Sequence, residues 1–390
     1  MPSRPVLTLV GFNFLYYVML SIFISYLPVY FSARGISPAE IGLLLGLGTV
    51  VGIFSPPLWG YISDRWQNVK RALLVIVGAL AVLGTILFQL SSHQLLFVFA
   101  ALAYFFMSPI GPLTDSVNYR VAEEERVSFG SIRLFGSIGY GTSALVVGML
   151  LEKWGMDSLA YLFLGSGLCT FAVGLLLPQQ AGAPKPVSVK AIKHFLANRR
   201  TLWLLFVILL LSIPHRANDS FVGVYIQHLG GTTAMVGQAW FYATASEAVS
   251  FALAFYWLRH GKELPLMAIA AAFFALRYML CASLTEPHWI ALLQLFHGVT
   301  FAVFYSASIQ YLYRTAPDEL KATGQTVFAC IFFGLSGIIS SVLGGWIFGK
   351  LGGSVLYQWM AVMSVFSLSL ILLTIRKYRS AASRHNGLPH

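Results

Sequence analysis

Apolar runs of about twenty or more residues alternate with short polar breaks along the whole chain. They fall near 6–31, 38–62, 72–90, 94–118, 130–151 and 158–178, then near 201–228, 233–258, 264–284, 288–312, 322–349 and 354–375. At a rise of 1.5 Å per residue, each can cross a hydrocarbon core about 30 Å thick. The pattern therefore predicts an all-α membrane protein with twelve transmembrane helices. The longest polar connection, roughly Pro178 to Arg200, holds Gln179, Gln180, Pro184, Pro186 and five Lys or Arg, and reads as a linker. It divides the chain into a six-helix bundle over 1–178, a linker over 179–200, a second six-helix bundle over 201–376 and a tail over 377–390. The first run follows only Met1 to Pro5, is longer than a signal-peptide core and lacks a small-residue cleavage site, so it is expected to stay as a span.

Composition agrees: 57% of residues are hydrophobic, 10% are charged and mean hydropathy is +0.75, which excludes a soluble domain. The net charge of +11 would suggest nucleic acid if it were not so distributed. With both termini in the cytoplasm, 19 of the 25 Lys and Arg lie on that side and only Arg34, Lys153 and Lys350 lie outside. That asymmetry follows the positive-inside rule and orients a multi-pass protein of the inner (plasma) membrane. Lys70-Arg71, Arg199-Arg200 and Arg376-Lys377 then read as anchors at an anionic leaflet, with no nucleic-acid partner. Cys169, Cys281 and Cys330 all fall within spans without ligand spacing, so neither a disulfide nor a metal is expected. No phosphate-binding loop occurs, so ATP is not the energy source and no cofactor is implied.

The two halves repeat one another. Tyr119-Arg120, an acidic loop and Gly130 recur as Tyr313-Arg314, an acidic loop and Gly324, at a constant offset of 194 residues. A parallel duplication of this kind places a transported solute between the halves near the midplane. Gly42 and Gly46, Gly48 and Gly52, and Ser341, Gly345 and Gly349 are spaced by four, which lets helices approach closely. Static packing and a sliding surface both fit that spacing.

Candidate chemistry is concentrated in six charges inside apolar runs: Arg133, Arg216 and Arg277 against Asp115, Asp219 and Glu247. A lone charge at the bilayer centre costs about 3 kcal/mol or more, so such residues pair, face water, or do work. Counting along each run places His215, Arg216, Glu247, Arg277 and His297 at about 14 to 20 Å depth, in the middle third of the core. His215, Arg216 and Asp219 share a helix face. Asp115 and Arg133 can reach each other across the fourth and fifth spans, either as a binding pair or as a structural bridge. Asn13, Tyr17 and Ser21 line one face of the first span, as a wet stripe or an interhelical hydrogen-bond stripe. Histidine ordinarily exchanges a proton near neutral pH, so His297 and a neighbouring carboxyl such as Glu247 are both candidate proton carriers.

Several motifs resemble the major facilitator superfamily. Gly60-Tyr61-Ile62-Ser63-Asp64-Arg65 followed by Lys70-Arg71 resembles the signature of its loop between helices two and three, which implies a conformational latch at Gly60, Asp64, Arg65 and Arg71. The matching segment of the second half, Arg259-His260-Gly261-Lys262, lacks the aspartate, so any latch there is weaker or different. Gly130-Ser131-Ile132-Arg133-Leu134-Phe135-Gly136-Ser137-Ile138-Gly139 looks like the fifth-helix motif of lactose permease relatives, nucleoside permeases and the phenylpropionate permease group. Gln294-Leu295-Phe296-His297-Gly298 with Thr300-Phe301, then Gly324-Gln325, looks like helices ten and eleven of the phenylpropionate group. The resemblance covers essentially the whole chain and implies the major facilitator fold and a monomer. In lactose permease an acid in helix eight, an arginine in helix nine, and a histidine and a further acid in helix ten handle sugar and proton. Glu247, Arg277 and His297 match the first three, whereas Thr300 and Phe301 stand in the region of the fourth. His215, Arg216 and Asp219 in the seventh span are candidates to compensate for it.

The expected function is proton-coupled import of a small organic solute by alternating access. Asn13, Tyr17, Asp115, Arg133, Arg216 and Arg277 are expected to bind the solute, and Glu247, His297, His215 and Asp219 to handle the proton. An aromatic carboxylate suits a bidentate arginine. A sugar or nucleoside, or efflux of amphiphiles, uses the same residues. An intramembrane serine protease built on Gly334-Leu335-Ser336-Gly337, a channel and a sensor are remote alternatives.

Overall fold

A computed structural model describes residues 3–179, 195–259, 261–315 and 320–386, and among these there are helices and no strands. Most of the linker expected over 179–200, the end of the tail and His260 lie outside the described residues. The helices are α1 (Arg4–Ala33), α2 (Pro38–Trp66), α3 (Val69–Leu87), α4 (His93–Glu124), α5 (Phe129–Trp154) and α6 (Met156–Gly174). After the linker come α7 (Arg199–His228), α8 (Thr233–Ala252), α9 (Glu263–Ser283), α10 (Pro287–Thr315), α11 (Thr323–Leu351) and α12 (Gly353–Asn386).

Eleven of these helices are long and apolar enough to cross a membrane, and α8 is the exception. It is 20 residues long but carries Gln238, Thr244, Ser246, Glu247 and Ser250. It also ends at Ala252, before a short helix at Ala254–Trp257, rather than running to 258. The residues that make α8 too polar include those that build the site described below. α12 continues to Asn386, well past the expected end of its span.

Local sequence explains several element boundaries. Ser37 caps α2 in a reciprocal box with Glu40, and Asn68 caps α3 through the Arg71 amide. Pro109 lacks the N–H an unbroken helix needs, and α4 is interrupted there between Met107 and Ile110. α10 passes from α-helix to a 3₁₀ turn at Leu293–Phe296 and a π segment at Gly298–Ala302, and α11 holds a second π segment at Cys330–Leu335. Such segments shift side-chain register and are frequent at functional sites.

α1 packs on α5 and α6, α3 on α4 and α6, and α2 on α4; in the second half α7 packs on α11 and α12, and α9 on α10 and α12. The halves meet along α2 with α11, α5 with α8, and α1 with α7. Tyr119 stacks on Phe129 (4.0 Å), tying α4 to α5, and the Tyr313 hydroxyl donates to Gln325 Oε1 (2.7 Å), tying α10 to α11.

The seams between the halves are packed backbone to backbone at one end. At the end away from the termini, a Cβ on Gly42 would strike the Ser341 carbonyl, and the Gly345 Cα would lie 3.0 Å from it. A Cβ on Gly345 would in turn meet the Pro38 carbonyl at 2.5 Å. On the other seam, a Cβ on Gly148 would lie 2.6 Å from the Thr233 carbonyl, and one on Gly237 would strike the Ala144 carbonyl. These small residues are therefore in backbone-to-backbone contact. Farther along α2, Thr49 and Ile53 still lie 3.1 and 3.0 Å from a Cβ built on Gly337 and Gly334 of α11, whereas nothing lies within 4 Å of one built on Gly60.

Candidate functional site

Asp115 sits nearly two turns beyond the Pro109 break of α4, opposite Arg133 of α5, and Arg133 Nε lies 3.2 Å from Asp115 Oδ1. The two side chains are 36% and 32% exposed. Arg133 also lies over the Tyr17 ring (4.4 Å to its centre), and that ring occupies the space a Cβ on Gly136 would fill. The glycines of the α5 motif thus have a direct use. Gly136 admits Tyr17, and Gly139 brings α5 onto the Phe14 carbonyl. Asn13 is fully buried in an amide pair with Asn118, with bonds of 2.9 and 3.1 Å, and Asn118 donates onward to Asp115 (3.4 Å). Asn13 thus ties α1 to α4 through the residue that bonds Asp115. Ser21 is buried as well.

The second half carries a longer network. On α7, Arg216 Nη1 bonds Asp219 Oδ2 (2.9 Å), and His215 Nε2 faces the same oxygen (3.5 Å). The turn-by-turn spacing anticipated from the sequence brings these three together. Glu247 of α8 faces His297 Nε2 of α10 at 3.7 Å, with its side chain 30% exposed. This approach depends on Gly298, whose absent Cβ lets α10 rest on the Ser246 carbonyl and whose amide donates to Ser246 Oγ (3.1 Å). His215 and His297 lie 5.4 Å apart between ring centres, and His215 stacks on Phe301 (4.8 Å).

Arg277 is held differently from Arg133 and Arg216. It is 0% exposed, and among the described residues no carboxylate approaches its guanidinium within 4.0 Å. Its partners are neutral: Gln294 Oε1, Thr300 Oγ1 (3.3 Å) and His297 Nδ1 (3.5 Å). Gln294 is held by its own bond to the Ile290 carbonyl (2.9 Å) and accepts from Asn218 (3.2 Å), which in turn accepts from the Tyr357 hydroxyl (3.1 Å). Sequence reasoning missed Gln294, Asn218, Asn118 and Tyr357. Gln294 was detectable, since it stands three residues before His297 and so shares its helix face.

At the expected latch, Arg71 lies over the Trp66 ring (4.8 Å) and the Asp64 carbonyl accepts from the Gln67 amide (3.1 Å). The second half supplies a different acid. Glu263, fully buried, accepts from the Gly261 amide (3.1 Å) and pairs with Arg314 (3.2 Å). Ser336 of the protease-like motif is buried, and its hydroxyl donates to the Phe332 carbonyl.

A family model described as "MFS_1 like family" matches residues 6–359. A maltose permease from Geobacillus stearothermophilus is 27% identical over 373 residues, covering 95% of this chain and 94% of that one. A probable 3-phenylpropionic acid transporter from Escherichia coli strain K12 is 26% identical over 367 residues, covering 92% and 94%. Among solved structures, the nucleoside transporter NupG superposes with a TM-score of 0.85 at 17% identity, covering 96% of this chain and 99% of that one.

Proposed function

Because the chain belongs to the MFS_1 like family of major facilitator transporters, we propose that it imports a small organic solute together with a proton by alternating access. In this reading twelve helices span the inner (plasma) membrane, α8 included, with both termini cytoplasmic. Bundles over 1–178 and 201–376 rock about the linker at 179–200, and the tail over 377–390 stays inside. The protein works as a monomer without a cofactor, and the conformation described above is the inward-facing one. One observation carries the proton assignment. Glu247 is a partly exposed carboxyl at the midplane whose facing partner is a histidine rather than an arginine, at 3.7 Å.

The geometry favours a neutral, hydroxyl-bearing solute, a sugar or nucleoside, over an aromatic carboxylate. Both arginines reachable from the open end, Arg133 and Arg216, are already neutralised by Asp115 and Asp219 at 3.2 and 2.9 Å. Such a pair offers donors and acceptors side by side, as hydroxyls require, and the Tyr17 ring adds a stacking face. The carboxylate reading retains one specific support: among the described residues, the partners of Arg277 are neutral. The maltose permease and the probable 3-phenylpropionic acid transporter carry both chemistries in their names.

The sign of one substitution separates the two. Asp115→Asn removes an acceptor and releases Arg133. For a hydroxyl-bearing solute, affinity should fall by about ten- to a hundredfold, the worth of a charged hydrogen bond. For a carboxylate it should rise. Uptake by proteoliposomes of a disaccharide, a nucleoside and phenylpropionate under an inward proton gradient, with internal pH recorded, checks both substrate and coupling. Accumulation of phenylpropionate alone, tightened by Asp115→Asn, would overturn the neutral-solute reading.

A further inference from the structure

We propose that Arg277, positioned by Gln294 and Thr300, fixes His297 as the neutral tautomer bearing its proton on Nε2, so that the coupling proton resides on Glu247 and never on His297. This inference rests on the proton-symport reading and says where in that site the proton sits. Arginine has five N–H donors and no acceptor. Its contact with His297 Nδ1 at 3.5 Å therefore makes Nδ1 the acceptor and leaves the ring proton on Nε2, the atom that faces Glu247 at 3.7 Å. A second proton on the ring would direct an N–H at a guanidinium. The guanidinium cannot withdraw easily, because Gln294 and Thr300 hold it and Gln294 is tied to the Ile290 carbonyl. Second-shell contacts of this kind commonly select a histidine tautomer.

The other elements around the ring add no site for a second proton. α7 presents His215, whose Nε2 already faces Asp219 beside Arg216. α11 presents Phe332 to His215, and α10 itself presents Phe301. An entering proton forms an O–H bond on Glu247 and leaves by breaking that bond. His297 only donates Nε2–H toward the carboxyl and neither gains nor loses a proton. Arg277 and Gln294 are thus positioning residues, which gives a use to a fully buried cation whose partners among the described residues are neutral.

The test uses the full chain in lipid nanodiscs, with ¹⁵N-labelled histidine and the His297 signals assigned by their loss in His297→Gln. From about pH 5 to about pH 8, one bare and one protonated ring nitrogen should persist. In Arg277→Gln, Nδ1 is freed and a doubly protonated ring should appear at the acid end. A doubly protonated ring in the unaltered protein, or identical spectra in Arg277→Gln, would overturn the assignment. Transport gives an independent readout. In His297→Gln the amide oxygen can accept from Arg277 and the amide N–H can face Glu247, but no proton can be carried. Uptake should slow by about tenfold, from imperfect geometry, with the proton-to-solute ratio unchanged. Loss of accumulation with exchange intact would move the proton to His297. If the unaltered protein moved no protons, the symport reading would fail, and the spectra would still decide the tautomer.

Discussion

Concentrative uptake should vanish in Glu247→Gln while exchange of solute across the membrane continues. An inward proton contributes about 2.3 kcal/mol per 100 mV of potential, which at about 1.4 kcal/mol per decade sustains roughly fiftyfold accumulation. Gln keeps the size and hydrogen-bonding capacity of the side chain but cannot exchange a proton. It resembles a permanently protonated carboxyl, the form in which a symporter is loaded to bind solute. The half-cycle that carries bound solute should therefore run in both directions, while the return of the empty carrier, which needs the carboxyl deprotonated, should stop. Equilibrium exchange and counterflow in proteoliposomes test the first part, and uptake under an imposed proton gradient tests the second. Accumulation equal to that of the unaltered protein would remove Glu247 from the proton path. Loss of both modes would show that it binds solute instead.

The second large effect is conformational. Gly42→Leu places atoms where the Ser341 carbonyl and the Gly345 Cα now lie, on the α2–α11 seam that closes the end away from the termini. Overpacking of a tight contact costs about 1–3 kcal/mol, which shifts a two-state balance by about five- to a hundred-and-fiftyfold against the closed seam. The variant should populate the oppositely open state, with transport slowed because the present conformation is rarely revisited. A cysteine placed at that end of the seam should react faster with a membrane-impermeant thiol reagent added outside. Gly60→Trp provides the mirror case. Its side chain meets open space here, so melting temperature should hardly change, yet the large ring blocks closure of the terminal end and should slow turnover by a comparable factor. Unchanged labelling in Gly42→Leu would show that the seam does not gate access.

The spans were legible because lipid offers no partner to backbone N–H and C=O groups, so a crossing segment must be a continuous apolar helix. The same reasoning exposes where legibility ends. α8 reads as a span in sequence, but its polar residues place it below the composition of a clear membrane helix, and those residues serve the site. The Asp115–Arg133 pair was foreseeable, since α4 and α5 are consecutive and the two residues lie near the loop that joins them. The Arg216–Asp219 pair was foreseeable from spacing within one helix.

The partners of Glu247 and Arg277 were not. Depth alone put Glu247, Arg277 and His297 at one level and left the pairing among them open. Packing decided it. Gly298 brings α10 onto α8, so His297 meets Glu247, while the 3₁₀ and π segments of α10 turn Gln294 and Thr300 toward Arg277. The buried Glu263 likewise escaped a motif comparison, because it lies one residue beyond the matching segment and is identified only by its contact with Arg314. By itself the sequence determined the helices, the internal duplication, the class of protein and the set of midplane charges, since these follow from local periodicity and from the cost of polar groups in lipid. Only the tertiary structure decided the partners of Glu247 and Arg277 and the places where the two halves touch, because these depend on side chains meeting across different helices, 17 to 50 residues apart for the charges and about 300 for Gly42 and Ser341.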